Sequence, residues 1–377
     1  MLESYRKGLQ SISKRVSILE SRDQPNWRKP FKLLIYYGTP QGINPDVVGA
    51  LWDSEKAAQV FAHWDYIVFG AGLELSTSPQ HTNTQDIIGL IRGYNPVAKI
   101  FGYIDLGVRS IVAPGYTIVS NYAPGVYQSR ISNWFDMGVD GIFLDDAGMD
   151  WSVSRSRLNN AVDYCHSIGL ATFVNAWDPN DIMSNTENDS GWSYNYDTGA
   201  WSALPDQALN PGSTATKMDG RDYYLAESFI VNTDSYSATN GYQTMANIIT
   251  KANLMLSYRV SLGVKMMAIN VVNYDGISDF QTEKYFKQCE SAAIIFSLDG
   301  WGMSALGYSA VAPNADDVVL HNFWDLFPYY INYAIEYWIN GGNTIIRRFD
   351  INAMCRIDTG SSVYQYQVPG TTEIFTG

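Results

Sequence analysis

Eight short apolar runs, each set against a stretch of helical period, fill the chain from residue 31 onward and leave few folds open. They are FKLLIYYG (31–38), DYIVFGAGLE (65–74), AKIFGYIDLG (98–107), VDGIFLDD (139–146), LATFVNAW (170–177), DYYLAESF (222–229), VKMMAINVV (264–272) and DGWGMSAL (299–306). Between them lie stretches such as PGVYQSRISNWFDMG and FQTEKYFKQCESAAIIFSL. Strand runs alternating with helices predict βα units and a parallel sheet. Eight units over about 300 residues predict an α/β fold of the (β/α)8 kind, a TIM-type barrel. A doubly wound open sheet competes, but no GxGxxG follows the first run to support it.

The ends of the runs carry the second signal. The first closes on Tyr37, the third on Asp105, the fourth on Asp145 and Asp146, the fifth on Asn175 with Trp177 beyond it, the sixth on Glu227 and the seventh on Asn270. In a parallel barrel these ends share one face, where such folds hold their chemistry. Side chains alternate along a strand, so Asp145 and Asp146 cannot both enter the mouth. One is expected to face the site while its neighbour braces the loop or caps the next helix. A strand-ending Asp is also a common cap, and for Asp105 that plain role weighs equally.

Composition excludes several partners. A net charge of −13 argues against nucleic acid, since little would neutralise phosphates, and against an anionic membrane surface. The 26 Tyr, 11 Trp and 15 Phe fill a core but also suit sugar-stacking surfaces. Cys165, Cys289 and Cys355 form no CxxC and read as reduced thiols. His63, His81, His166 and His321 show no paired-ligand spacing, so neither a metal nor a cofactor is expected.

Residues 1–22 read differently. Leu2, Leu9 and Val16 alternate with Tyr5, Ile12 and Leu19 in an a/d pattern over three heptads. This predicts a coiled-coil helix and a homo-oligomer through residues 2–20, with a trimer favoured; an amphipathic helix lying on its own domain is the alternative. Residues 23–30 read as a linker, 31–341 as the barrel and 342–377 as a small β-rich appendage that packs on the barrel or meets a partner. Residues 178–221 are long for a barrel connection and carry Trp192, Tyr194, Tyr196 and Trp201, rings that either stack on sugars or pin the loop. The start, MLESYRKGLQ, lacks the apolar core of a secretory signal, so synthesis in the cytoplasm is expected.

GYIDLG, then a helix, then GVDGIFLDD, resembles the endo-α-1,4-polygalactosaminidases and the spherulin-four-like proteins, most clearly over residues 98–177. In those barrels a GY[IV]S-x-G strand precedes an amphipathic helix and D-G-[IV]-F-[LF]-D. The resemblance implies that Asp145 and Glu227 are a catalytic pair; from their places at the barrel mouth, Asp105, Asp146, Asn175, Trp177, Asn270 and Tyr37 are expected to bind substrate around them. Two departures stand out: Asp146 takes the place of a usual Asn, and GVRS follows the third strand where the family continues into a Glu. The expected activity is glycoside hydrolysis of a polysaccharide, with an amino-sugar or neutral glycan easier than a polyanion at this charge. The alternative is a carbohydrate-binding or structural subunit of an assembly such as a phage tail or virion.

Overall fold

The computed structural model describes residues 30–45, 52–108, 111–113, 116–118, 122–186, 191–195, 200–204, 209–232, 241–272, 279–305, 317–318, 337–339, 342–350, 353–359, 363–367 and 374–376. The coiled coil expected over residues 2–20 lies outside these.

All eight apolar runs form strands of one closed parallel barrel: β1 Phe31–Tyr36, β2 Tyr66–Phe69, β3 Lys99–Asp105, β4 Gly141–Asp145, β5 Ala171–Asn175, β6 Tyr223–Ala226, β7 Lys265–Val272 and β8 Gly300–Ala305. Each pairs with its neighbours in sequence, and β8 closes on β1 with Phe31 opposite Gly300. Outside lie α1 Ser54–Phe61, α2 His81–Tyr94, α3 Pro124–Asp136, α4 Arg155–Ser167, the short α5 Pro179–Met183, α6 Met245–Leu262 and α7 Asp279–Ile295. Their ends follow local chemistry: Asp53 caps α1 through Glu55 N at 3.0 Å and Lys56 N at 3.1 Å. Gly263, at φ 77°, ends α6 in the left-handed region where a side chain would be strained. Among the described residues no helix is long and apolar enough to cross a membrane.

Two cores share the strands. One fills the barrel interior with Ile35, Phe101, Phe143, Phe173, Leu225 and Ile269 among others, and contains no helical residue. The second lies between strands and helices, where Ile142, Leu144 and Val174 meet Ile131, Trp134 and Val162. The interior rings need space that neighbours give up. A Cβ on Gly141 would sit 2.6 Å from Phe101, and one on Gly102 would sit 2.1 Å from Trp134 on the outer side. Each buried ring contributes on the order of 1.5–3 kcal/mol.

The N-terminal end of the barrel is laced by four aspartates, each just before an even-numbered strand. Lys32 N donates to Asp65 at 2.9 Å, Ile100 N to Asp140 at 2.9 Å, Thr172 N to Asp222 at 2.8 Å and Met266 N to Asp299 at 2.7 Å. The backbone oxygen of each also accepts from the first residue of the next odd-numbered strand. The barrel is therefore braced as four like quarters, and the acids at this end are structural.

The C-terminal residues form an antiparallel sheet of five successive strands: β9 Tyr337–Ile339, β10 Thr344–Asp350, β11 Ala353–Asp358, β12 Val363–Gln367 and β13 Ile374–Thr376. The sheet packs on α7. Arg347, buried, donates to Ile294 O at 2.9 Å and Ile295 O at 3.3 Å, carbonyls of that helix's last turn. Cys355 Sγ lies 3.7 Å from Ser291 O. Covered on both sides, α7 buries even Lys287, Gln288 and Glu290, with Lys287 and Glu290 paired at 3.4 Å. Cys165, Cys289 and Cys355 are all buried and free.

Candidate active site

The interior residues fix what the mouth presents. Two positions beyond Ile35, Phe101, Phe143, Phe173 and Leu225, the same strand faces carry Tyr37, Tyr103, Asp145, Asn175 and Glu227. Asp145 thus points into the mouth. Asp146 takes the opposite phase at φ 51°, turning the chain out of β4. Its charge still acts on the Tyr103 hydroxyl beside the site.

Asn175 joins the pair. Its Nδ2 donates to Asp145 Oδ1 at 2.8 Å and to Glu227 Oε2 at 3.1 Å. Tyr103 donates its hydroxyl to Asp145 as well, and its ring packs edge-on to Tyr37 at 5.1 Å between centroids. Burial first, then the charge of Glu227, push Asp145 up to about 6, against the hydrogen bond from Asn175; Asp105 adds a smaller push. Burial raises the Tyr103 hydroxyl well above its usual range, followed by the charges of Asp145, Asp105 and Asp146, so Tyr103 stays a donor. Asp105 sits opposite Asp145 in the β3–β4 register, and its Oδ1 accepts from Gly107 N at 2.9 Å. It serves both the loop and the local field.

Asn270 has the other phase. Ile269 faces the interior, so Asn270 turns outward, where its Oδ1 accepts from Ile230 N at 2.8 Å and Val231 N at 3.0 Å. It pins the chain just beyond Glu227. Trp177 is 48% exposed above the mouth, with the Lys251 ammonium 4.2 Å from its ring centroid. Glu227 forms no ion pair with Arg221 or Lys251; Arg221 pairs with Asp219 at 3.0 Å.

Three residues around the site carry no signal in the strand ends. Asp150 follows β4, and Asp178 and Asp181 follow β5. Burial, then Asp150 and Asp178, push Asp181 up to about 7, while burial and Asp178 push Asp150 up to about 6. Asp181 accepts from Met149 N at 2.9 Å, tying the two loops together. Within the long 178–221 segment, Gly191–Asn195 pairs with Ala200–Leu204, setting Trp201 opposite Tyr194, and the hairpin lies against residues 149–151. Tyr196 lies outside the described residues.

At the far end, His166, Asp219 and Asp222 bring ligand atoms within 4.8 Å of one another. Both Asp222 oxygens already accept hydrogen bonds, from Thr172 N and Asp219 N among others, so this group reads as a brace.

No family profile matches the chain, and no curated protein does. Among solved structures, Amy13B of Eubacterium rectale aligns over 90% of this chain and 87% of its own, at 9% identity and a TM-score of 0.44. The cellulose synthase subunit Z of Clostridioides difficile covers 74% and 94%, at 8% identity and 0.41. The type I 3-dehydroquinate dehydratase of Clostridium difficile covers 74% and 86%, at 9% and 0.34. At these scores the functional reading rests on the site alone.

Proposed function

We propose that the protein is a glycoside hydrolase, with Asp145 and Glu227 as its carboxyl pair. One observation carries this reading: a single amide nitrogen of Asn175 holds both carboxylates. The two bonds cap the separation of the bonded oxygens at about 5.9 Å, which suits a retaining pair at roughly 5–5.5 Å better than an inverting pair at 6.5–9.5 Å. One carboxylate attacks the anomeric carbon while the other gives its proton to the glycosidic oxygen, breaking the C–O bond. Water then releases the sugar, and the proton returns. Asp145 at about 6 beside Glu227 lets the pair carry one proton and one charge in mildly acid solution, the state this chemistry requires.

The residue-level likeness of GYIDLG and GVDGIFLDD to the polygalactosaminidase and spherulin-four families supports the same pair. The acid-rich mouth favours a neutral or amino-sugar polysaccharide over a polyanion. Purified protein screened against amino-sugar polymers and bacterial surface glycans, with reducing ends as readout, tests the reading. Release that disappears in Asp145→Asn supports it. Binding without release, unchanged in Asp145→Asn, assigns the barrel instead to a recognition subunit, oligomeric through residues 2–20. Asp146 and GVRS, the two departures from the family pattern, favour that second reading.

A further inference from the structure

Beside the carboxylate pair, a cavity of about 260 Å³ opens between the loops after β5 and β6 and the first turns of α6. Trp177, Ser228, Asn247, Thr250, Lys251 and Leu254 line it with four neighbours. Ser228 directly follows Glu227, at φ 50°, so the cavity adjoins the pair. Its size falls just below the roughly 300–1,000 Å³ of drug-sized ligand pockets, which suits one ring rather than a chain. The lining mixes an indole, an aliphatic patch, hydroxyl and amide groups and one charge of each sign, Asp178 and Lys251, a combination that matches the apolar faces and polar rim of a sugar.

Lys251 is the unusual member. It lines the cavity, and its ammonium forms no hydrogen bond or ion pair among the described residues; the Trp177 ring is its packing partner. An ammonium offers three donors and no acceptor, so an occupant must supply oxygen lone pairs. Glu227, Asp178 and Asp150 are the charges acting on Lys251. Their field opposes an anionic occupant, while Lys251 itself opposes a cationic one. A neutral oxygen acceptor, hydroxyl or acetamido carbonyl, satisfies both constraints.

We propose that this cavity is a subsite for one uncharged pyranose ring whose acceptor oxygens take the Lys251 ammonium hydrogens, and that Lys251 closes it to a ring bearing a free ammonium group. The choice of a sugar rests on the carbohydrate reading above; the charge preference rests on the cavity. A mixed glycan would then seat an uncharged unit here and leave any amine for the acidic mouth.

Ligand-observed NMR on the full chain, at mildly acid pH, tests this with methyl glycosides of glucose, N-acetylglucosamine, glucosamine and glucuronic acid. The first two are expected to bind, and the charged pair at least about ten-fold more weakly. Lys251→Met is expected to weaken the neutral pair roughly ten-fold, the loss of one charge-assisted hydrogen bond. It should also abolish the discrimination against glucosamine. Asn247→Leu, at an exposed helix position, fills the cavity without touching the core and should lower binding likewise. Equal binding of all four sugars, binding of none, or binding indifferent to both variants overturns the proposal. Charge-selective binding without cleavage of any glycan removes the hydrolase reading and leaves the subsite. Cleavage that needs Asp145, with binding indifferent to Lys251, does the reverse.

Discussion

Asn175 donates to Asp145 at 2.8 Å from the same nitrogen that reaches Glu227. One neutral side chain therefore sets the spacing of two acids that would otherwise repel. Asp145→Asn removes an ionisable group while preserving its shape, and is expected to cut turnover by ~10²–10⁴-fold with glycan affinity nearly unchanged. Steady-state kinetics beside equilibrium binding checks this. Asn175→Ala should also lower kcat, because the pair loses its common donor, and Asn175→Asp should lower it further by adding a third charge.

The proton on the pair gives a pH dependence. Asp145 is raised from the ordinary carboxylate range to about 6 by burial and by Glu227, so the protonated form persists to that pH and is lost above it. Activity that needs one proton on the pair is expected to fall as pH rises through about 6. A pH profile of kcat/KM flat up to pH 8 would count against the pair.

Tyr103 donates to Asp145 and so favours its ionised form. Tyr103→Phe is expected to move the basic limb of the profile upward and to lower kcat roughly ten- to a hundred-fold, the range for a hydrogen bond to a charged group. A merely structural role for Tyr103 would lower the folded fraction and leave the limb in place.

How far the sequence reached depended on strand phase. The eight runs and their polar ends were legible because strand period and barrel length are properties of the chain alone. Asp145, Asn175 and Glu227 converge because each lies two residues beyond an interior residue. Asn270 closes its run in the same way, yet β7 runs on to Val272 with Ile269 inward, and no composition rule shows that phase. Lys251 was hidden differently: with Asn247, Thr250 and Leu254 it makes a mixed stripe on α6 that resembles a solvated face. HWDYI, GVDGI, GRDYY and SLDGW, each placing Asp before an even strand, did carry the girdle in plain letters, but only the register shows what those acids hold.

Asp181 provides a stability test. Its folded value, raised to about 7, means the ionised form is disfavoured in the native state. Stability from this group is fully present below about pH 4 and is lost as pH rises through about 7. Asp181→Asn keeps an acceptor for Met149 N and removes the charge. Melting temperatures should rise in the variant at pH 8, with the gain shrinking towards pH 4. An equal shift at both ends would mean that charge is not the cause.

The acids at the two ends of the barrel should respond oppositely to neutralisation. At the mouth, Asp145 is held against its own ionisation, so Asp145→Asn should cost activity and leave stability at pH 8 equal or higher. At the base, Asp299 is fully buried, accepts from Met266 N at 2.7 Å and pairs with buried Arg259 at 2.8 Å. Asp299→Ala takes an acceptor from that guanidinium and from a strand amide, and is expected to cost about 3–5 kcal/mol. Asp299→Asn keeps an oxygen for Met266 N and should fall between. Turnover per folded molecule should stay at the parent value in both, because no substrate reaches that end. Denaturant melts run beside kinetics on the same samples decide it: a fall in turnover per folded molecule in Asp299→Asn would show that the girdle also positions the mouth.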